Sequence, residues 1–242
     1  MMKKIVVFLC FFTIASLAMQ AQDMRFGFQL SPTFGWMTAN SNRINPSGTN
    51  LGLKLGMVGE YYFQDNYALT GGLGFYFNAG GTLLYERAGN FWSNSDLPEA
   101  CKLQPAQAKL KHSLQFVEIP VGLKMRTREF GYTRYFFEPN LGFGFRTQAI
   151  GDIIGATDDC QDVNIREDVN LLNLFWGINA GIEYGISEST ALVGGLGMQF
   201  GFSDITRDKG NFIDSDNDGT PESEEDSKGI VRAFVIRLGV MF

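Results

Sequence analysis

The sequence is poor in the residue types that most metal sites, nucleophilic sites and nucleic-acid interfaces need. It has one histidine, three cysteines and seven prolines in 242 residues, and only 19% of its residues are charged. A net charge of −6 provides no basic footprint for nucleic acid, so we expect no nucleic-acid partner. Glycine (29 residues) and aromatic residues (14%) are abundant instead. That composition, with few prolines to interrupt a ladder, favours β-strands over helices.

The amino-terminal 21 residues have the pattern of a secretory signal peptide. Two lysines precede a short apolar run (5–15), and small residues follow at Ala18 and Ala21. This pattern predicts export and cleavage after Ala18 or Ala21, and we favour Ala21, which leaves 22–242 as one mature domain. No later run is apolar for the roughly 20 residues that a helical span needs. An exported chain of this kind crosses a membrane only as strands.

The last stretch of the chain, 229–242, alternates strictly and ends on an aromatic residue. One face of this strand is apolar throughout, and the other carries small residues and Arg237. A closing strand of an outer-membrane barrel has this form. The same alternation recurs upstream, and together the segments predict eight strands at 24–38, 51–63, 69–77, 113–126, 134–150, 172–184, 192–202 and 229–242.

The connections between these strands alternate between long and short. We predict long connections at 39–50, 80–109, 151–168 and 204–228, with short turns between them. Strands of about 11–15 residues suit a tilted membrane crossing, and long outer loops with short periplasmic turns are typical of such barrels. The predicted fold is therefore all-β: an eight-stranded antiparallel up-and-down transmembrane barrel with long extracellular loops.

The polarity of the two faces decides which solvent lies outside. One face is nearly free of charge and is lined with Trp, Tyr and Phe, which favours lipid outside. The ionisable residues share the other face, which we predict to fill the narrow lumen as an ion-pair network, with pairing preferred over transport. Its members are Arg25, Lys54, Glu60, Glu118, Lys124, Arg126, Glu138, Arg146, Glu183 and Arg237.

One motif resembles a known family. The segment Glu118-Ile119-Pro120, followed by Lys124, is similar to the hallmark of the PorT-like outer-membrane β-barrel family of Bacteroidetes. The resemblance covers the layout of the whole mature chain and implies an eight-stranded barrel in the bacterial outer membrane. Some members of that family are linked to type IX secretion and gliding. The resemblance implies no catalytic residue.

An acidic stretch in the last long loop fits a calcium-loop pattern. Asp214, Asp216, Asp218 and Glu225 lie at the spacing D-x-D-x-D-G-x5-E. Oxygen ligands at alternate positions with a glycine for the turn suit Ca²⁺, although no helices flank the pattern. The two interpretations are a structural calcium site in the 206–228 loop and a solvated acidic loop. We expect no other cofactor.

Cys101 and Cys160 are the cysteines that remain after the signal peptide. Both lie in long loops that we expect on the outer side of the membrane, in an oxidising compartment. The alternatives are a disulfide between these loops and two free thiols.

The single histidine does not predict a catalytic site. His112 and Ser113 are neighbours on a strand, so their side chains point to opposite faces and cannot form a dyad. We therefore predict a non-enzymatic protein of the outer membrane, with a structural or interaction role through its outer loops, accessory to secretion or envelope assembly.

The expected partners are membrane lipid, the barrel-insertion machinery acting on the last strand, and an unidentified protein at the outer loops. Three rival functions stay open at this stage. They are a soluble lipocalin-like carrier, a narrow porin, and a lipid-modifying enzyme that uses His112.

Overall fold

The computed structural model describes residues 24–155, 160–207, 209–213 and 221–242. The predicted signal peptide lies outside these residues. In the described part of the chain, the strands in order are β1 (Met24–Ala39), β2 (Ile44–Gln64), β3 (Tyr67–Tyr85), β4 (Gly89–Asn90), β5 (Ala108–Arg126), β6 (Thr133–Ile154), β7 (Val163–Asn164), β8 (Leu172–Gly185), β9 (Ala191–Gly201), β10 (Gly210–Ile213), β11 (Pro221–Glu225) and β12 (Gly229–Met241). A short helix, α1 (Glu99–Lys102), and a 3-10 turn (Arg166–Asp168) lie between them. Neither of these helices is long and apolar enough to span a membrane.

Eight long antiparallel strands close into a ring. Each of β1, β2, β3, β5, β6, β8, β9 and β12 pairs with its neighbours in that order, and β12 returns to β1. The closing register runs from Gly27 opposite Met241 to Ala39 opposite Gly229. The predicted eight-stranded up-and-down barrel is confirmed. Closure leaves no free edge among these strands, which is the condition for spanning lipid.

The apolar face of the ring points outward. Leu196 and Leu238 are about half exposed, at 56% and 45%, whereas Glu138 and Arg237 are each only 5% exposed. A barrel in water would bury the leucines and expose the ions. The arrangement is that of a protein surrounded by hydrocarbon, so a lipocalin-like barrel in water is ruled out.

One wall of the barrel rises above the other. The adjacent strands β2, β3, β5 and β6 have 19–22 residues each, while the other four have 11–16. A crossing needs only about 9–11 residues. On β5 the outward residues are polar from Lys109 to Gln115 and apolar from Val117 to Leu123. The hydrocarbon belt therefore ends near Val117, and the residues before it form a wall outside the membrane.

The long strands of the wall shorten three of the predicted loops, and the one predicted from residue 151 begins only after β6 ends at Ile154. The connection predicted at 39–50 is only residues 40–43, because β2 begins at Ile44. The loop predicted from residue 80 is strand as far as Tyr85. A β-bulge between Tyr76 and Ala79 reverses the inward and outward alternation, so the regular sequence pattern stops there although the strand continues.

Candidate functional site

The inner half of the lumen is built around one buried lysine. Lys124 is completely buried, and its Nζ lies 2.5 Å from an oxygen of Glu60 and also contacts Glu183. Arg25 donates from Nη1 to Glu183 at 3.2 Å. The hydroxyl of Tyr62 donates to the second oxygen of Glu60 at 2.6 Å. Each buried charge in this inner cluster has at least one partner of opposite sign.

Two further ion pairs lie near the middle of the barrel. Lys54 Nζ contacts Glu118 at 2.6 Å and also donates to the amide oxygen of Gln199, whose Nε2 returns a 3.0 Å hydrogen bond to Glu118. Arg237 Nη1 lies 2.7 Å from Glu138. Gln199 completes the first of these groups, and it was not among the predicted network residues. Its sequence position showed only that it faces inward.

The charges of these clusters balance. Four cations meet four carboxylates, and aromatic rings lie beside the cations, with Lys54 Nζ 4.5 Å from the ring centroid of Tyr76 and Lys124 Nζ 4.7 Å from that of Phe136. Burying charges is tolerated only when each is paired and hydrogen-bonded. The space left beside Lys54 and Glu118 is a cavity of about 90 Å³. Such a volume accommodates a few water molecules.

The two remaining predicted residues form no ion pair with these clusters. Arg126 is near the periplasmic turns, where its guanidinium lies 3.8 Å from the ring centroid of Tyr62 and its Nε donates to the carbonyl of Asp65. Arg146 is near the outer end and donates from Nη1 to the carbonyl of Arg166. The structure thus brings eight of the ten predicted residues into ion pairs within the lumen.

Beyond these ions the lumen is mainly apolar, with Asn50, His112, Arg146 and Asn173 among its buried polar residues, whereas we expected the ion-pair network to fill it. Inward side chains of the outer half form one continuous core with apolar residues of the loops. Its strand residues include Met37, Leu83, Leu110, Leu114, Phe116, Ile153, Val231 and Val235. We call this core the plug. It forms because the projecting wall and the outer loops enclose enough apolar surface to pack as in a soluble domain.

The outer loops fold over the plug and are tied to one another. We call this unit the cap: the described residues of 86–107, 160–171 and 202–228. Cys101 and Cys160 form a disulfide with a Cα separation of 5.6 Å, so the predicted bridge is confirmed. Asp168 accepts from the backbone N of Asn94 at 3.0 Å and also from the Ser95 hydroxyl.

The third outer loop joins the cap through backbone pairing. In it, β10 pairs with both β4 and β11, so two loops share one small sheet. The ring of Phe212 on β10 lies 5.3 Å from that of Phe91. Asn170 Nδ2 donates to the carbonyls of Asp204 and Thr206. These links make the cap a packed unit, with far less freedom than separate loops have.

The histidine belongs to the boundary between plug and cap. His112 is buried above the hydrocarbon belt, and its Nε2 accepts a 3.4 Å hydrogen bond from the indole of Trp92. Burial lowers the pKa of His112 to about 4, so the ring is neutral at ordinary pH. Ser113 lies on the outward side of the same strand. The geometry gives His112 a packing role with Trp92.

Most of the predicted calcium ligands, Asp214, Asp216 and Asp218, lie outside the described residues. Glu225 is described and buried, and its carboxylate accepts hydrogen bonds from the backbone N and the hydroxyl of Ser227. In the described part of the chain, no three His, Cys, Asp or Glu side chains converge on a common point as metal ligands do.

Asp168 was missed by sequence reasoning, as were the cap's apolar residues. The available signal was the presence of Phe91, Trp92 and Leu97 close together in a segment predicted to be a long loop. Large apolar side chains grouped in such a segment indicate a buried surface.

Removing the disulfide should loosen the cap without opening the barrel. We expect the free energy of unfolding of the Cys101→Ser, Cys160→Ser variant to be about 2 kcal/mol lower than that of the parent. The disulfide joins cysteines that are 59 residues apart in the sequence, and the β5–β6 hairpin already restrains this part of the chain. Limited proteolysis of the folded variant should cleave within 86–107 faster than in the parent. An unchanged rate of cleavage would mean that the remaining cap contacts suffice.

Comparison with known families decides where the chain belongs. A family model described as "Outer membrane protein beta-barrel domain" matches residues 20–207, more than three quarters of the chain. The chain belongs to this family. It is therefore a protein of the bacterial outer membrane, with membrane lipid around its apolar face.

Solved outer-membrane barrels have a similar layout. Neisserial surface protein A is 10% identical over 90% of this chain and 95% of its own, with a TM-score of 0.43. OprG from Pseudomonas aeruginosa is 10% identical over 91% and 96%, with a TM-score of 0.43. A major outer membrane protein from Thermus thermophilus is 14% identical over 90% and 98%, with a TM-score of 0.44. No curated protein sequence matches the chain significantly.

Proposed function

We propose that this outer-membrane barrel is a non-conducting, non-catalytic protein that presents its cap to a protein partner at the cell surface. The observation that carries the proposal is the cap itself. Three outer loops are joined by the disulfide, by the hydrogen bonds of Asp168 and by the sheet of β4, β10 and β11. A surface held in one conformation loses little entropy when it binds, so this construction suits recognition.

A narrow porin is the second candidate, and the interior opposes it. A solute would have to pass the apolar plug and then the cluster of Lys124, Glu60 and Glu183. An ion passing the plug would lose much of its hydration against apolar side chains. An eight-stranded lumen has little width beyond what its own side chains fill.

The finer assignments also remain proposals. The motif at Glu118, Pro120 and Lys124 supports a PorT-like relationship and hence an accessory role in secretion or envelope assembly. The alternating pattern of β12, with one apolar face, supports recognition of this strand by the barrel-insertion machinery. The amino-terminal pattern supports removal of residues 1–21, which amino-terminal sequencing of the mature protein would test by finding Gln22 first, or Met19 if cleavage follows Ala18.

Two measurements test the proposed function. In planar bilayers the purified chain should give no discrete conductance steps, whereas a porin would give them. In living cells, a photo-crosslinking residue at Ala100 on the cap should yield a discrete protein adduct. The same residue at Ser187 in a periplasmic turn should not yield that adduct. Channel openings, or identical adducts from both positions, would contradict the proposal.

We further propose that the acidic segment of the last outer loop binds one structural Ca²⁺ through Asp214, Asp216, Asp218 and Glu225. Affinity should fall in the range of extracellular modules, about 0.1–1 mM, because the site has no flanking helices to preorganise it. Calorimetric titration with CaCl₂ should show one site that the Asp216→Asn, Asp218→Asn variant loses. A titration without saturation would contradict the calcium site and support the alternative, a solvated acidic loop. Because Glu225 already accepts hydrogen bonds from Ser227, we expect Glu225→Gln to weaken binding less than the aspartate changes do.

A further inference from the structure

Three arginines converge at the outer end of the barrel. Arg146 points inward from β6 and donates from Nη1 to the carbonyl of Arg166. Arg207 is held beside this loop, because its backbone N donates to the carbonyl of Asp168, two residues after Arg166, at 3.0 Å. Arg166 and Arg207 are exposed, whereas Arg146 is only 7% exposed. We call this group the outer arginine cluster: a buried cation at the base and two accessible cations above it.

Two buried donors at the base of the cluster have no acceptor in the described part of the chain. They are Nε of Arg146 and Nδ2 of Asn173. Asn173 lies opposite Gly144 on β6, and the backbone N of Arg146 bonds the carbonyl of Leu171. Both side chains therefore point to the interior face one step apart along the β6–β8 pair. Buried donors normally find a partner, so this pair indicates an acceptor between them.

The nearby acids neutralise the cluster only in part. Glu167 is largely exposed, and its carboxylate is 3.9 Å from Arg207. Both carboxylate oxygens of Asp168 already accept hydrogen bonds, one from Asn94 and the other from Ser95. No carboxylate in the described residues lies within 4.0 Å of Arg146 or Arg166. The site therefore keeps excess positive charge next to unfilled hydrogen-bond donors.

We propose that the outer arginine cluster, with Asn173 at its base, binds a phosphate group. Guanidinium groups hold phosphate oxygens through paired, charge-assisted hydrogen bonds, and the amide of Asn173 supplies one more donor. The position of the site agrees with this ligand. Phe145 is an outward apolar residue of β6, and the exposed Thr147 and Gln148 follow it. The inward-pointing Arg146 thus lies at the depth of the outer boundary of the hydrocarbon, which is the depth of the phosphate-bearing lipid headgroups. Free inorganic phosphate has the same chemistry.

Binding is measured by calorimetric titration of inorganic phosphate into the chain in a zwitterionic detergent. We expect a saturable site. Its affinity for phosphate should fall about tenfold or more in Arg146→Gln, because that variant loses a charge-assisted hydrogen bond. The affinity should fall about threefold in Arg166→Gln or Arg207→Gln, whose arginines are exposed. Arg134→Gln is the matched control, since Arg134 is a partly exposed arginine near the periplasmic turns, paired with Glu129. It should leave phosphate affinity unchanged.

A second arm distinguishes the two sources of phosphate. In phosphatidylcholine nanodiscs with or without phosphatidate, broadening of the phosphatidate phosphorus resonance that depends on Arg166 and Arg207 would identify a lipid headgroup. Binding of inorganic phosphate alone would identify a soluble anion. If Arg146→Gln fails to fold, the double variant Arg166→Gln, Arg207→Gln decides. Absence of binding by both probes, or equal affinity in the double variant and the parent, overturns the proposal.

Discussion

Replacing Leu196 with arginine is expected to lower the free energy of unfolding in lipid vesicles by about 2–4 kcal/mol. Leu196 points outward from the middle of β9, between Leu192 and Phe200, and its neighbours on adjacent strands are Ala180 and Ile236. None of these offers a partner for a guanidinium. The cost arises because the arginine must either enter hydrocarbon or thin the bilayer around itself.

Leu103 provides the matched control. It is 53% exposed, against 56% for Leu196, but it lies on the cap in water. We expect Leu103→Arg to change the free energy of unfolding by less than about 0.5 kcal/mol, as exposed surface substitutions usually do. Urea titrations followed by tryptophan fluorescence measure both variants. Equally small effects would show that the apolar band around Leu196 does not lie in lipid.

The sequence predicted the part of this barrel that crosses the membrane because a strict period of two governs it. Leu196 and Leu238 had to lie on one face of the sheet, and Glu138 and Arg237 on the other. The remaining question was which of the two faces contacts lipid. The pattern failed where the period breaks. The bulge after Tyr76 places two nearby side chains on the same face, so an alternation followed in the sequence loses the strand at that point.

The partners within the lumen were less predictable than its members. The alternation of the strands put Lys124, Glu60 and Glu183 on the inner face. It held no information on the register of the barrel, which brings Lys124 into contact with Glu60, 64 residues away, and with Glu183, 59 residues away. The same alternation predicted that Gln199 faces inward, but it did not predict the hydrogen bond between Lys54 and Gln199. The cap was harder still, since Asp168 acts through contacts with Asn94 and Ser95, which lie 74 and 73 residues away.

The largest loss of stability is expected from Lys124→Met, at about 3–5 kcal/mol. Methionine retains much of the volume, so the loss is chiefly electrostatic. Glu60 and Glu183 would lie side by side in the lumen with only Arg25 to share. Removing one partner of a buried ion pair leaves an uncompensated charge, which costs more than the pair itself contributes. Urea unfolding in vesicles is again the measurement.

Two further variants separate charge from packing. In Lys124→Met with Glu183→Gln, one cation and one carboxylate are removed, so Arg25 again balances Glu60 and at least half of the lost free energy should return. Lys111→Met removes a partly exposed lysine that pairs with Asp152 at 2.8 Å on the outward side of β5, and should cost no more than about 1 kcal/mol. If the double variant is no more stable than Lys124→Met alone, the lysine stabilises the barrel through packing, and the balance of charges in the lumen is not what holds its inner half together.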